Sequence, residues 1–207
     1  MSKIYALIDR GLIDKYSINL KDFCNFLNDL NIPIAQYRNK NYNKTQIVND
    51  LNIIKSHFKG TLIINDYIDF ISLADGLHIG QEDLIKYGSI NKIRDIIKNK
   101  ILGLSTHNLE EIKRANSFNL DYIGLGAYRE TSTKDVSNIK GKELLEIAKS
   151  SVHKVALIGG ITLEDDFSNY PQIYYKVIGS NLFKKYLSLQ EEWKLIILEM
   201  KYMQQLL

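Results

Sequence analysis

Two aspartates, one basic stretch and several loops rich in glycine and hydroxyls mark where this 207-residue chain can do chemistry. In Gln36-Tyr37-Arg38-Asn39-Lys40, Arg38 offers a planar fork that grips a phosphate through two hydrogen bonds, and Lys40 adds a point charge. Gln36 and Arg38 fall on one side of an extended segment, with Lys40 two residues further on. An Arg-x-Lys pair by itself reads equally well as a solvated strand end. Asn65-Asp66 and Gly80-Gln81-Glu82-Asp83 each close a short apolar run with an acid. From neighbouring strand ends, Asp66 and Asp83 can converge on one hard cation, and Mg²⁺ typically takes one or two carboxylates and fills its shell with phosphate oxygens and water. The competing role for each aspartate is a helix cap.

Further along, Ser105 can donate to a phosphate, and Asn108 caps the helix that follows. Thr131-Ser132-Thr133-Lys134, on a loop that also holds Arg129, forms a polar clamp for phosphate, although hydroxyl clusters also occur in ordinary turns. Gly159-Gly160 and Gly179-Ser180 let backbone approach a ligand closely, the second pair at the start of a helix, where N–H groups bind anions. Two anion sites follow: a metal-assisted one near Arg38, Asp66 and Asp83, and one on the glycine loops. His107 reads as an orienting or capping residue. His78 alternates with apolar neighbours and reads as a satisfied core histidine. No Ser-His-Asp or Cys-His constellation is evident.

Positioning these groups requires strands that end at a common mouth. Short apolar runs at Ile4 to Ile8, Ile34 to Tyr37, Leu62 to Ile64, Gly76 to Ile79, Leu102 to Leu104, Tyr122 to Leu125, Val155 to Ile158 and Tyr175 to Ile178 make eight candidate strands. Leu20 to Leu30, Thr45 to Phe58, Ile90 to Ile97, Leu109 to Phe118 and Glu143 to Lys149 carry apolar residues at helical intervals. Such alternation means a parallel sheet with crossover helices. It predicts one α/β domain over residues 1–207, a (β/α)₈ TIM barrel, with a doubly wound open sheet as the competing architecture. Tyr67 to Leu73 and Leu163 to Tyr170 leave room only for very short helices after the third and seventh strands. Leu189 to Met200 reads as a final amphipathic helix, about 189–203, packing beneath the barrel, with a dimer face as its second role.

Composition narrows the partners. A net charge of +3, from 27 basic and 24 acidic residues with no long Lys/Arg block, argues against nucleic acid and leaves small anionic substrates open. Cys24, the single cysteine, excludes an intrachain disulfide and reads as a buried thiol. The amino-terminal apolar run is too short for a signal peptide or membrane span, so a cytoplasmic protein is expected.

The succession QYRNK, INDYID, ADGLHIGQED, LGLSTHNLEE, DYIGLGAYRETSTK, ALIGGI and VIGS, in order over about residues 4 to 186, resembles the thiamine phosphate synthase family. The resemblance implies a Mg²⁺-dependent transferase coupling a pyrimidine diphosphate to a thiazole phosphate. It assigns Gln36, Tyr37, Arg38, Asn39, Lys40, Asn65, Ser105 and Lys134 to the pyrimidine diphosphate, with Arg38, Lys40 and Lys134 neutralising the leaving diphosphate. Asp66 and Asp83 would ligate Mg²⁺. Thr131, Ser132, Thr133, Gly160, Gly179 and Ser180 would hold the thiazole phosphate. Three departures stand out. Asn39 replaces a usual glutamate, Ala127-Tyr128-Arg129-Glu130 lacks the usual prolines, and Asn65 to Asp75 is about two residues short. A thiazole tautomerase on the same barrel, or a phosphate-binding barrel without turnover, are the alternatives.

Overall fold

The computed structural model describes residues 2–129 and 141–205, with side chains up to residue 197. The Thr131-Ser132-Thr133-Lys134 cluster therefore lies outside the described residues. The chain opens with β1 (Lys3–Asp9), α1 (Arg10–Lys15), α2 (Leu20–Asp29), β2 (Ile34–Arg38), α3 (Lys44–His57) and β3 (Thr61–Asn65). A 3₁₀ turn (Ile68–Leu73) leads to β4 (Gly76–Ile79), followed by α4 (Gln81–Tyr87) and α5 (Ile90–Ile97). Then come β5 (Ile101–Thr106), α6 (Leu109–Ala115), β6 (Tyr122–Gly126), α7 (Lys142–Ala148), β7 (Lys154–Ile158), β8 (Ile173–Ile178) and α8 (Ser180–Gln205).

Each strand pairs in parallel with its sequence neighbours, and β1 pairs with β8 from Lys3 opposite Tyr175 to Ala6 opposite Ile178. The sheet is thus a closed eight-stranded barrel, which excludes the open sheet. Most helix starts are written in the sequence. Asn19, Asn43, Ser89 and Asn108 each accept, through the side chain, the first-turn N–H of Asp22, Gln46, Lys92 and Glu111. Asp9 does the same for α1, accepting from Leu12. The helices lay their apolar faces on the sheet, α2 through Leu20, Phe23, Cys24, Phe26 and Leu27, and α5 through Ile90, Ile93 and Ile97. Cys24 is fully buried, and burial pushes its thiol up to about 12, so it stays protonated and unreactive at neutral pH.

Inside the barrel the alternation of strand side chains builds a second, smaller core from Tyr5, Ile34, Ile63, Tyr122, Ala156 and Val177. Two tyrosines and a histidine fit there because the inward positions beside them are glycines. A Cβ on Gly103 would stand 2.2 Å from the Tyr122 ring and 2.6 Å from His78 Nδ1. We expect Gly103→Ala to cost about 1–3 kcal/mol by overpacking, read as a lower denaturation midpoint with an unchanged m-value.

Two expectations are corrected. Among the described residues, nothing between Ile158 and Ile173 is helical. Leu163, Phe167 and Tyr170 do recur at helical spacing, but Asp165 accepts from the Thr162 N–H and Asp166 from the Ser168 N–H, so local turns win. Phe167 still buries its ring. The carboxyl-terminal helix does not start near residue 189 but runs unbroken from Ser180, since no glycine or proline interrupts it. Its first part packs through Leu182, Phe183 and Tyr186, whereas Trp193, Leu195, Ile196 and Ile197 stay exposed, contrary to the expected packing beneath the barrel.

Candidate functional site

A cavity of about 480 Å³ opens at the carboxyl ends of the strands, where this architecture carries its chemistry. Of the residues singled out in the sequence, Gln36, Arg38, Asn65, Asp66, Asp83 and Ser105 line it. So do Gly160, Gly179 and Ser180 on the far side. A shallower depression of about 370 Å³ beside Asn28 and His57 lies at the opposite end, by the carboxyl ends of α2 and α3, and gathers none of these groups.

Strand parity decides which residues of β2 reach the cavity. Gln36 and Arg38 point inward, so Tyr37 between them cannot, and Asn39, just past the strand, donates its Nδ2 to the Tyr37 hydroxyl at 3.4 Å; neither lines the cavity, and their expected contact with a ligand is corrected. Tyr37 is buried on the helix side, where its hydroxyl donates to Asp50 Oδ2 at 2.6 Å. Asn39 stabilises the loop itself: its Oδ1 accepts from Asn41 N, and its carbonyl accepts from the Tyr67 hydroxyl. Lys40 lies beyond the last strand residue, is exposed and is not among the cavity-lining residues, because alternation no longer applies once the strand has ended. Arg38, without a glutamate at position 39, takes its acid from β1, donating to Asp9 Oδ2 at 2.8 Å. Asp9 also lines the cavity, a role not anticipated from the sequence.

The two aspartates meet. Asp66 follows β3 with φ of +68°, a left-handed backbone that aspartate tolerates better than most residues, and its N–H is held by the His78 carbonyl at 2.8 Å. Asp83 stands in the first turn of α4 and accepts from Gly80 N at 3.0 Å, so capping and convergence coexist in one side chain. Burial, and then repulsion from the Asp83 carboxylate within hydrogen-bonding reach, push the Asp66 carboxyl up to about 7, while Arg38 pulls the other way. Two carboxylates crowded in a half-buried pocket suit a divalent cation that completes its shell from a ligand. No cluster of three or more metal-ligating side chains exists among the described residues.

This shift has a testable sign. Asp66 keeps its proton to about pH 7 in the fold but not in the unfolded chain, so the metal-free native state binds more protons between about pH 4 and 7 and loses stability as pH rises through that window. Asp66→Asn should remove the loss. In EDTA, the variant is expected to be of order 2 kcal/mol more stable than wild type at pH 8 and equal to it at pH 4, by thermal unfolding.

A hydrogen-bonded chain forms the cavity floor. Gln36 Nε2 donates to the Tyr5 hydroxyl at 3.0 Å, which lies 2.9 Å from the Tyr122 hydroxyl. Tyr122 lies 3.0 Å from His78 Nδ1, and His78 Nε2 is 2.9 Å from Ser105 Oγ. Burial holds both phenols above their ordinary range, so they remain neutral donors. His78 is the satisfied core histidine its alternation suggested, yet it also fixes Ser105 at the cavity wall. His107 is held by Glu111, whose Oε2 accepts from its N–H at 2.9 Å and lies 3.0 Å from its Nδ1, in keeping with an orienting role. Tyr5, Tyr122 and Asp9 were missed in the sequence: the tyrosines read as ordinary strand residues that only inward parity could have flagged, whereas Asp9, like Asp66, is an acid closing an apolar run.

Arg129, expected to help clamp a phosphate, is otherwise engaged. Its guanidinium forms a two-pronged pair with Asp165, at 2.7 and 2.6 Å, and donates to the Gly160 carbonyl at 2.7 Å.

Comparison with known proteins bears on the family and the fold. The family model described as thiamine monophosphate synthase matches residues 4–167. The thiamine-phosphate synthase of Lawsonia intracellularis is 36% identical over 137 residues, 63% of this chain and 60% of the relative. That of Fusobacterium nucleatum is 34% identical over 176 residues, 79% of this chain and 80% of the relative. The alignments to the Lawsonia and Persephonella marina relatives span 60% and 63% of those proteins' own length. In fold, the barrel resembles a thiamine phosphate pyrophosphorylase from Pyrococcus furiosus, with a TM-score of 0.68, 23% identity, and 86% of this chain and 85% of that one covered. No described helix is long and apolar enough to cross a membrane. With a matching model over most of its length and a relative of similar extent at 34% identity, the chain belongs to the thiamine monophosphate synthase family.

Proposed function

We propose that this protein is a thiamine phosphate synthase, a cytoplasmic single-domain transferase that joins 4-amino-2-methyl-5-(diphosphooxymethyl)pyrimidine to a thiazole phosphate and releases diphosphate with the help of Mg²⁺. The observation that carries the reading is the convergence of Arg38, Asp66 and Asp83 on one wall of a single cavity, opposite Gly160, Gly179 and Ser180. A substrate with a diphosphate and a second with a monophosphate need two anion sites of that kind facing one reaction space.

Gln36, Asn65 and Ser105 would bind and orient the pyrimidine diphosphate over the floor of Tyr5, Tyr122 and His78. Asp66 and Asp83 would hold Mg²⁺, which supplies positive charge to the diphosphate oxygens. Arg38, assisted from the loops by Lys40 and Lys134, offsets the remaining charge. The bond from the methylene carbon to the diphosphate oxygen then breaks, its electron pair leaving on the diphosphate, and the thiazole nitrogen lone pair forms the new C–N bond. Thr131, Ser132, Thr133, Gly160, Gly179 and Ser180 hold the thiazole phosphate in line for that attack. A dissociative path of this type depends on positioning and preorganised charge rather than on a general base. The engagement of both cavity histidines in structural hydrogen bonds accords with it.

Binding tests the reading without turnover. The pyrimidine diphosphate should raise the melting temperature with Mg²⁺ present and leave it nearly unchanged in EDTA. Equal stabilisation in both would favour a barrel that performs proton transfer or merely binds phosphate, neither of which needs the Asp66–Asp83 pair.

A further inference from the structure

We infer that Arg129 and Asp165 form a positioning clamp that sets the Gly159-Gly160 turn in its phosphate-binding shape, so that this ion pair controls affinity for the phosphate monoester without touching it. The inference rests on the proposed reading in one respect, that this turn receives the monophosphate.

The loop after β6 contains no proline between Gly126 and Arg129, so its shape must come from contacts. Among the described residues, the Tyr128 carbonyl accepts from Gly141 N at 2.9 Å, and the other backbone contacts fall on the end of β7 and the loop after it. Tyr128 N donates to the Ile158 carbonyl at 2.8 Å, and Arg129 N donates to the Gly159 carbonyl at 3.0 Å. Gly159 and Gly160 both take left-handed backbone, φ of +103° and +61°, and a Cβ on either would stand 2.5 Å from Ala127 Cβ or 2.7 Å from Arg129 Cβ. The two loops are in contact at van der Waals distance, and side chains have been excluded from one of them to allow it.

Arg129 then fixes the turn from its outer side. Its fork spans both Asp165 oxygens and the Gly160 carbonyl, and its guanidinium lies 4.8 Å from the centre of the Tyr128 ring, which packs edge-on against Phe167. Asp165 is itself held by the N–H and hydroxyl of Thr162. Pulling the Gly160 carbonyl toward Arg129 turns the Ile161 N–H, antiparallel to it across the planar peptide, away from Arg129. Gly160 and Ile161 line the cavity and Arg129 is not among the lining residues, so that N–H is turned from the clamp toward the ligand. The pair holds Asp165 down to about 2, so it persists across the whole working pH range.

The test is calorimetric titration of the full chain with thiazole phosphate, which needs no turnover. Arg129→Met keeps the stem over Tyr128 but removes the fork, and Asp165→Asn removes the anchor. Each should weaken thiazole phosphate binding by about tenfold and leave pyrimidine diphosphate affinity within about twofold. Arg129→Lys, whose ammonium can still bridge Asp165 and the Gly160 carbonyl, should recover most of the loss. Wild-type affinity in both Arg129→Met and Asp165→Asn overturns the clamp, as does an equal loss for both ligands, which would report general disturbance of the fold. A wild-type protein that binds no thiazole phosphate overturns it as well. If wild type binds thiazole phosphate through the pair yet makes no thiamine phosphate, the proposed reaction fails and the clamp stands.

Discussion

Asp83→Asn is expected to lower the rate of thiamine phosphate formation by about 10²–10³-fold at saturating substrates, the scale on which removing one preorganised charge-stabilising group acts. The substitution separates chemistry from folding. Asp83 also caps Gly80 N at 3.0 Å, and an asparagine oxygen keeps that bond, so the melting temperature should hardly move. What would be lost is one of the two carboxylates proposed to hold Mg²⁺, and the Mg²⁺ concentration needed for half-maximal rate should rise. A rate within threefold of wild type, at the same Mg²⁺ requirement, would remove Asp83 from the site.

Arg38→Met is expected to cost about 10²–10³-fold in turnover as well, for a different reason. Arg38 is the one described cation lining the cavity wall near the aspartates, and its pairing with Asp9 at 2.8 Å holds the guanidinium in place. Without it the diphosphate meets Asp9, Asp66 and Asp83 with less compensating charge. Arg38→Lys should restore only part of the rate, since an ammonium cannot form the two-pronged contact. Lys40→Ala should cost less, about tenfold, because its exposed charge is screened by solvent and salt. Steady-state rates on the three variants check the ordering, and an Arg38→Met enzyme faster than Lys40→Ala contradicts it.

The fold was legible because each strand is an apolar run and half of the described helices start at an asparagine or serine cap. Eight runs and crossovers of the right length leave little freedom in a parallel sheet. Asp66, Asp83, Arg38 and the glycine turns were legible for a related reason: they stand directly after strands, and strand carboxyl ends share one face of a barrel. The errors came where that rule was carried past the strand or across its parity. Tyr37 lies between inward positions and turns to the helix side, Asn39 just past the strand turns toward the Tyr37 hydroxyl, and Lys40, beyond the point where alternation holds, does not line the wall and is left to act from the loop. Tyr5 and Tyr122 were invisible because inward and outward residues look alike when a strand is apolar on both faces, whereas Asp9, an acid closing an apolar run, carried the same signal as Asp66 and was passed over. The helix expected after β7 lost to aspartate-centred turns that periodicity does not register. Arg129 could not be assigned because its partner, Asp165, is distant in sequence and is brought close only by the docking of two neighbouring loops.

The central claim is that one cavity binds a diphosphate through Arg38 and a cation held by Asp66 and Asp83, and a monophosphate through the glycine turns, so that the two substrates react. Incubating purified protein with the pyrimidine diphosphate and the thiazole phosphate, with Mg²⁺ or with EDTA, and following thiamine phosphate and diphosphate together, tests it most directly. Equimolar appearance of both products with Mg²⁺, abolished in EDTA, is the predicted result; folded protein that binds both substrates but forms neither product in Mg²⁺ would contradict it.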